Sequence, residues 1–250
     1  MTTQSDLIEE ANKDGTVSPY RVTVLYGDMG KRKTTTACSM VKDRGLLLNS
    51  DDSWKVLLND RHKDIYSKIK VTNLEGLSQF DYIDFNGYDT IIWDTISQSV
   101  DEFLDILSAE AKWTGTQLRQ KITSNNPIIK NLEALAPMDY RVTRDFFRPV
   151  LNKLFKQTNA HIIFVSQFKE PMAGLSKDTQ TRPDIPAATF KTIGTRADII
   201  GYIKPTNRGN FEIDMTENSM TSLGKSRIEG LQGKMNLDVF VNKYKEIVFK

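Results

Sequence analysis

A chain of 250 residues with 39% hydrophobic and 26% charged residues has an ordinary soluble composition, with room for one large domain or two small ones. Its 34 Lys and Arg against 32 Asp and Glu leave a formal net charge of +2, which excludes a global basic field, so any nucleic-acid site must be local. The single cysteine, Cys38, excludes an internal disulfide and suits a reducing cytoplasm. The lack of an N-terminal apolar segment and of any apolar run near 18 residues argues against export and membrane spanning.

Residues 1–18 are polar, with only Leu7 and Ile8 to bury, and predict a flexible leader or one short helix ahead of a domain over 19–250. Residues 21–26 (RVTVLY) read as a buried strand, 27–33 as a loop with two glycines, and Thr34 to Met40 as the start of a helix. Against the spacing G-x-x-x-x-G-K-[ST], the first glycine is Gly27, the lysine is Lys33 and the hydroxyl is Thr34. The position before the lysine, glycine in the motif, is Arg32. Such a loop curls backbone N–H groups around a triphosphate, its lysine reaches the β and γ phosphates, and its hydroxyl holds magnesium. The candidate nucleotide contacts are therefore Gly27, Asp28, Gly30, Lys31, Arg32, Lys33, Thr34 and Thr35, with ATP and Mg2+ as the expected ligands. Arg32 either swings outward, which a negative φ would allow, or blocks the cradle. The bland alternative is a Gly-rich turn that binds nothing.

Gly45 is expected to close the helix, and Leu46 to Leu48 to form a short strand with Asn49, Ser50, Asp51 and Asp52 at its C-terminal end. Asp51 or Asp52 either orients the attacking water or caps the next helix. Trp54 to Phe85 reads as mixed and helical. Thr90 to Trp93 form an apolar strand ending in Asp94, the placement of an acid that holds magnesium together with the loop threonine. Residues 98–110 predict an amphipathic helix, 112–138 an exposed loop-rich stretch, and 140–160 a helix with a basic face that Pro149 kinks or breaks. HIIFVSQF (161–168) reads as a strand ending in Ser166 and Gln167, well placed to sense a γ-phosphate. A long flexible loop is expected from Lys169 to Thr192, carrying Lys169, Lys177, Arg182 and Lys191. Ala197 to Ile203 and Asn210 to Met215 read as paired strands. Lys225 and Arg227 occupy alternate positions of an extended segment and so point the same way. The final LDVFVNKYKEIVFK reads as an edge hairpin or terminal strand.

In this order, GDMGKRKT, NSDD, IIWDTIS, IIFVSQ, ADIIGYI and KSRIEG resemble a RecA-core P-loop ATPase, most similar to compact phage-encoded recombination ATPases associated with single-strand annealing. The resemblance implies a RecA-like α/β fold, a twisted and mostly parallel sheet flanked by helices with the nucleotide at the strand C-termini. It implies Lys33 and Thr34 as nucleotide and magnesium contacts, Asp94 as the Walker B acid and Gln167 as the switch residue. It makes the loop carrying Lys169, Lys177, Arg182 and Lys191 a contact for single-stranded DNA. Lys225 and Arg227 become a finger reaching a neighbouring subunit in a ring or filament, while the candidate base, Asp51 or Asp52, departs from the family, many members of which place glutamate there. A single-strand annealing protein is the implied partner, and the cytoplasm, the host's if the chain is phage-encoded, the implied location. Two other classes remain open: a nucleotide-binding assembly or regulatory subunit that does not hydrolyse, and a small-molecule P-loop transferase resembling the corrinoid adenosyltransferases.

Overall fold

A computed structural model describes residues 21–74, 77–106, 137–170, 180–206, 209–217 and 219–249. The expected leader over 1–18 lies outside them, as does the expected loop-rich stretch as far as residue 136.

The core is a sheet in which the order is β11-β9-β8-β1-β5-β4-β2-β3, with β10 pairing β8. Its centre is parallel: β1 (Val22–Gly27), β2 (Gly45–Asn49), β3 (Ile69–Asn73), β4 (Thr90–Asp94), β5 (His161–Ser166) and β8 (Ile199–Pro205). The antiparallel members are β9 (Phe211–Met215), β10 (Lys225–Ser226) and β11 (Gly233–Asn236). A separate short pair joins β6 (Phe168–Lys169) to β7 (Arg182–Pro183). β1, β2, β4 and β5 are buried at every position because helices cover both faces, which is why they read as unbroken apolar runs.

Alternate residues of each strand feed opposite layers. Val24, Tyr26, Leu48, Trp93 and Phe164 pack with α3 (Ile96–Ile106), α4 (Pro137–Gln157) and α5 (Ala187–Gly194), through Val100, Phe147, Leu151, Leu154 and Ile193. Leu25, Leu47, Ile92, Ile163 and Ile203 pack on the other face with α1 (Lys33–Ser39) and α6 (Leu237–Val248), through Ala37, Cys38, Phe240, Tyr244 and Val248. A short α2 (Lys63–Tyr66) completes the set. The twisted, mostly parallel sheet flanked by helices is thus the fold expected from sequence. Among the described residues no helix is long and apolar enough to cross a membrane.

Several elements differ from expectation. The C-terminal segment is the helix α6, not a hairpin or strand. Its Leu237, Phe240, Tyr244 and Val248 form one buried stripe, and the Asn236 carboxamide oxygen accepts the N–H groups of Asp238 and Val239 at 2.9 and 3.4 Å. Gly45 does not close α1, which ends at Ser39; it opens β2, where an added Cβ would lie 2.7 Å from both Ile69 and Val41 side chains. The expected mixed helical stretch contains the edge strand β3 and several 3-10 turns. α4 runs through Pro149 without a break, with buried Phe147 and Leu151 anchoring it on either side of the exposed proline. The long loop after β5 is interrupted by β7 and α5.

Candidate nucleotide site

β1 delivers the chain to the C-terminal edge of the sheet at Gly27, where β8 passes so close that a Cβ would lie 2.5 Å from the Ile203 carbonyl oxygen. Only glycine fits that approach. The loop then turns through Gly30, with φ 68°, and Arg32, with φ 60° and ψ 17°. Arg32 therefore keeps the left-handed backbone a glycine would supply, at a cost of about 1–2 kcal/mol for a residue with a side chain. The negative φ named as the condition for an outward swing is not adopted, yet the guanidinium is turned away from the loop all the same. Its guanidinium lies 4.9 Å from the centre of the Phe211 ring.

The loop folds back on its lysine. Lys33 is 6% exposed, and its ammonium donates to the carbonyls of Gly27 at 2.9 Å and Asp28 at 2.7 Å and to Gln167 Oε1 at 3.2 Å. Burial lowers its pKa, while the charges of Asp94, Asp28 and Asp51 work the other way. It has no carboxylate within ion-pair distance among the described residues. Asp28 itself is exposed and turns its carboxylate to the N–H of Met29 at 2.7 Å, so its link to the lysine is its backbone.

Asp94, the last residue of β4, is fully buried. One carboxylate oxygen accepts the hydroxyls of Thr34 at 2.5 Å and Ser53 at 2.7 Å. The other has no hydrogen-bond partner among the described residues. Burial pushes its pKa to about 6, and nearby Asp51 adds to this, against the hydrogen bonds from Thr34 and Ser53 and the charge of Lys33. A buried carboxylate with one idle oxygen beside a threonine hydroxyl and a lysine is what a magnesium and polyphosphate site requires, so the residues present fit that group.

Asp51 and Asp52 separate cleanly. Asp51 accepts the Ser53 N–H at 3.0 Å, receives the Thr95 hydroxyl at 3.4 Å, and faces the same cleft as Asp94. Asp52 is exposed and pairs with Lys55 at 2.6 Å. Gln167 joins the lysine to the β6–β7 pair. Its N–H donates to Ser97 at 3.1 Å, and its carbonyl accepts the Asp184 N–H at 2.8 Å, next to β7.

These groups line a cleft of about 940 Å³ whose near wall includes Gly30, Lys31, Arg32, Lys33, Thr34, Thr35, Asp51, Asp94 and Gln167. Its far walls are Arg61, His62 and Ile65 on one side and Val241, Asn242 and Lys245 of α6 on the other. Sequence reasoning misses Ser53 and both far walls. The apolar stripe and Asn236 cap of α6 are the available signal.

Lys225 and Arg227 do not reach this cleft. Lys225 pairs with Ile200, near the start of β8, whereas Gly27 pairs with Ile203, so they stand about 10 Å apart along the strand direction. They do point the same way. Lys225 donates to the carbonyls of Ala197 at 2.6 Å and Gly194 at 3.2 Å, and Arg227 donates to Thr195 O at 3.3 Å and lies 3.7 Å from the Asp198 carboxylate. Lys169 and Arg182 are register partners in the β6–β7 pair, with Lys169 also 3.9 Å from Asp184. Lys191 is exposed on α5 rather than on a loop, and Lys177 lies outside the described residues.

A parallel sheet with a lysine- and threonine-bearing loop after its central strand and an aspartate closing a neighbouring strand defines a P-loop nucleotide-binding protein. The chain matches the AAA domain family over residues 19–228, most of its length, and belongs to that family of P-loop ATPases. Among solved structures it is similar to the RadB recombinase, at 12% identity over 82% of this chain and 84% of that one, with a TM-score of 0.41. It is also similar to the flagellar accessory protein FlaH from Methanocaldococcus jannaschii, at 12% identity over 84% of this chain and 83% of that one, with a TM-score of 0.40. No curated protein matches the chain.

Proposed function

We propose that this protein binds ATP with magnesium in the cleft at the C-terminal edge of its sheet and hydrolyses it as a RecA-like motor on single-stranded DNA. The observation that carries the reading is the convergence of Lys33, Thr34, Asp94 and Gln167, with a fully buried Asp94 oxygen left unpaired. Lys33 trades its two carbonyl contacts for phosphate oxygens, and the loop N–H groups around Gly30 supply further donors. Thr34 and Asp94 would hold a magnesium ion, which would supply positive charge against the polyphosphate. Asp51 orients the attacking water and accepts its proton.

Gln167 is the coupling residue. Its side chain is on Lys33 and its carbonyl on Asp184, so a change at the phosphate end is transmitted to the β6–β7 pair that presents Lys169 and Arg182. These two, with Lys191 and Lys177, form the DNA-facing set. Lys225 and Arg227, remote from their own cleft, complete the cleft of a neighbouring subunit in a ring or filament. The pathway this suits is phage-type recombination, repair or replication beside a single-strand annealing protein.

Steady-state phosphate release from ATP and magnesium, with and without single-stranded DNA over a range of protein concentrations, tests the reading. DNA-stimulated release rising faster than linearly with protein concentration is the expected result. Release that is linear in protein and indifferent to DNA would remove the shared site and the DNA role together.

A further inference from the structure

The loop carries an arginine where its motif has glycine, and the backbone does not need that side chain. At φ 60° a glycine would sit more easily, and the two bonds made by the Arg32 carbonyl, to the Thr36 N–H at 2.9 Å and hydroxyl at 2.7 Å, are open to any residue. Arg32 is among the residues that line the nucleotide cleft, beside Lys33 and Thr34. Its guanidinium lies 4.9 Å from the Phe211 ring centre and makes no hydrogen bond or ion pair with any described residue. Among the described residues none of its five N–H donors has a partner, beside a cleft otherwise built for phosphate. Arg227, by contrast, has a carbonyl and a carboxylate within reach.

We infer that Arg32 is a polyphosphate-contacting residue supplied in cis, held over Phe211 until nucleotide enters and then turned onto the phosphate oxygens. A planar guanidinium matches a phosphate with two parallel hydrogen bonds, a geometry a lysine does not offer. The Phe211 face holds the cation without using any of its donors, so transfer breaks no hydrogen bond. The substitution that looks like a defect in the loop thus adds a second cation to the one provided by Lys33. This inference rests on the reading of the cleft as an ATP site.

The test is calorimetric titration of the full chain with ATP and magnesium, comparing wild type, Arg32→Gly and Phe211→Leu. Glycine suits the backbone at position 32, so that variant retains the loop, and leucine keeps the apolar bulk at 211 while removing the aromatic face. Arg32→Gly is expected to bind roughly tenfold more weakly, the loss of one charge-assisted contact, and Phe211→Leu at least as tightly as wild type. Undiminished affinity in Arg32→Gly, or an equal loss in Phe211→Leu, overturns the inference by making the arginine a structural partner of the ring. A wild-type chain that takes up no ATP defeats the reading of the cleft itself, a failure visible before either variant is compared.

Discussion

Two aspartates, Asp94 at the end of β4 and Asp214 in β9, are both fully buried, yet their surroundings treat charge in opposite ways. At Asp214, burial alone would raise the pKa, but hydrogen bonds from Thr216 and Lys204 and the Lys204 charge outweigh it and hold the carboxyl below its ordinary value. Lys204 lies at 3.3 Å and Lys234 at 3.6 Å, with the Thr216 N–H at 3.1 Å. At Asp94 two hydroxyls share one oxygen, the other is idle, and the pKa rises to about 6. A carboxylate that serves the fold is satisfied by the fold. One left short carries its own desolvation cost, as groups at functional sites do.

Among the cations the division is less sharp, and there the largest effect is expected. Lys33 and Lys225 both rest on carbonyl oxygens, and of the three cations only Arg227 has a carboxylate close by, that of Asp198 at 3.7 Å. If Lys225 and Arg227 serve a neighbouring subunit, Arg227→Ala lowers turnover by about 10³–10⁵-fold while ATP affinity stays near wild type. Parallel measurement of phosphate release and ATP binding separates the two. Unchanged turnover would return Arg227 to a purely local role at α5.

Next in size is Asp214→Asn. Removing the carboxylate takes one counter-ion from Lys204, which keeps Glu212 at 3.4 Å, and one from the exposed Lys234, and a loss of about 1–3 kcal/mol, mostly from the buried hydrogen bonds, is expected in denaturant unfolding at neutral pH. Because the folded pKa of Asp214 is depressed, its contribution is present above the unfolded value near 3.8 and is lost as pH falls through the folded value. A variant as stable as wild type at pH 7 would deny Asp214 its structural role.

Asp94→Asn goes in the other direction and by no more. The folded pKa is raised from 3.8 to about 6, so the penalty is absent below pH 4, grows between the two values and is complete above the folded one. At pH 8 the penalty amounts to about 3 kcal/mol. Asparagine retains part of the hydroxyl contacts, so the nucleotide-free variant should be about 1–3 kcal/mol more stable than wild type at pH 8 and level with it at pH 4. Unfolding curves at the two pH values check this, and a variant less stable than wild type at pH 8 would break the contrast with Asp214.

How much of the molecule is legible in sequence depends on how local the cause is. The buried parallel strands announce themselves as apolar runs, and Gly27, Lys33, Thr34, Asp94 and Gln167 sit at spacings set by a strand and the turn after it. The half-buried edge strand β3, with exposed Lys70 and Asn73, has no such run and does not stand out. The last segment carries two periods at once, Leu237, Val239 and Val241 at alternate positions and Leu237, Phe240, Tyr244 and Val248 at helical spacing. Its Asn236 cap and the packing of the second set against α1 and the sheet decide for helix. Arg32 reads as a fault in sequence because its φ is set by loop closure, and Phe211, the ring it meets, lies far along the chain. The Asp214 cluster, assembled from β8, β9 and β11, leaves no local trace.

The most direct test is equilibrium ATP binding to wild type and Asp94→Asn, each with and without magnesium. If the idle Asp94 oxygen is kept for the metal, magnesium tightens ATP binding to wild type and has little effect on the variant. Equal magnesium dependence in both proteins, or none in wild type, would contradict it and leave the buried, unpaired carboxylate without a ligand.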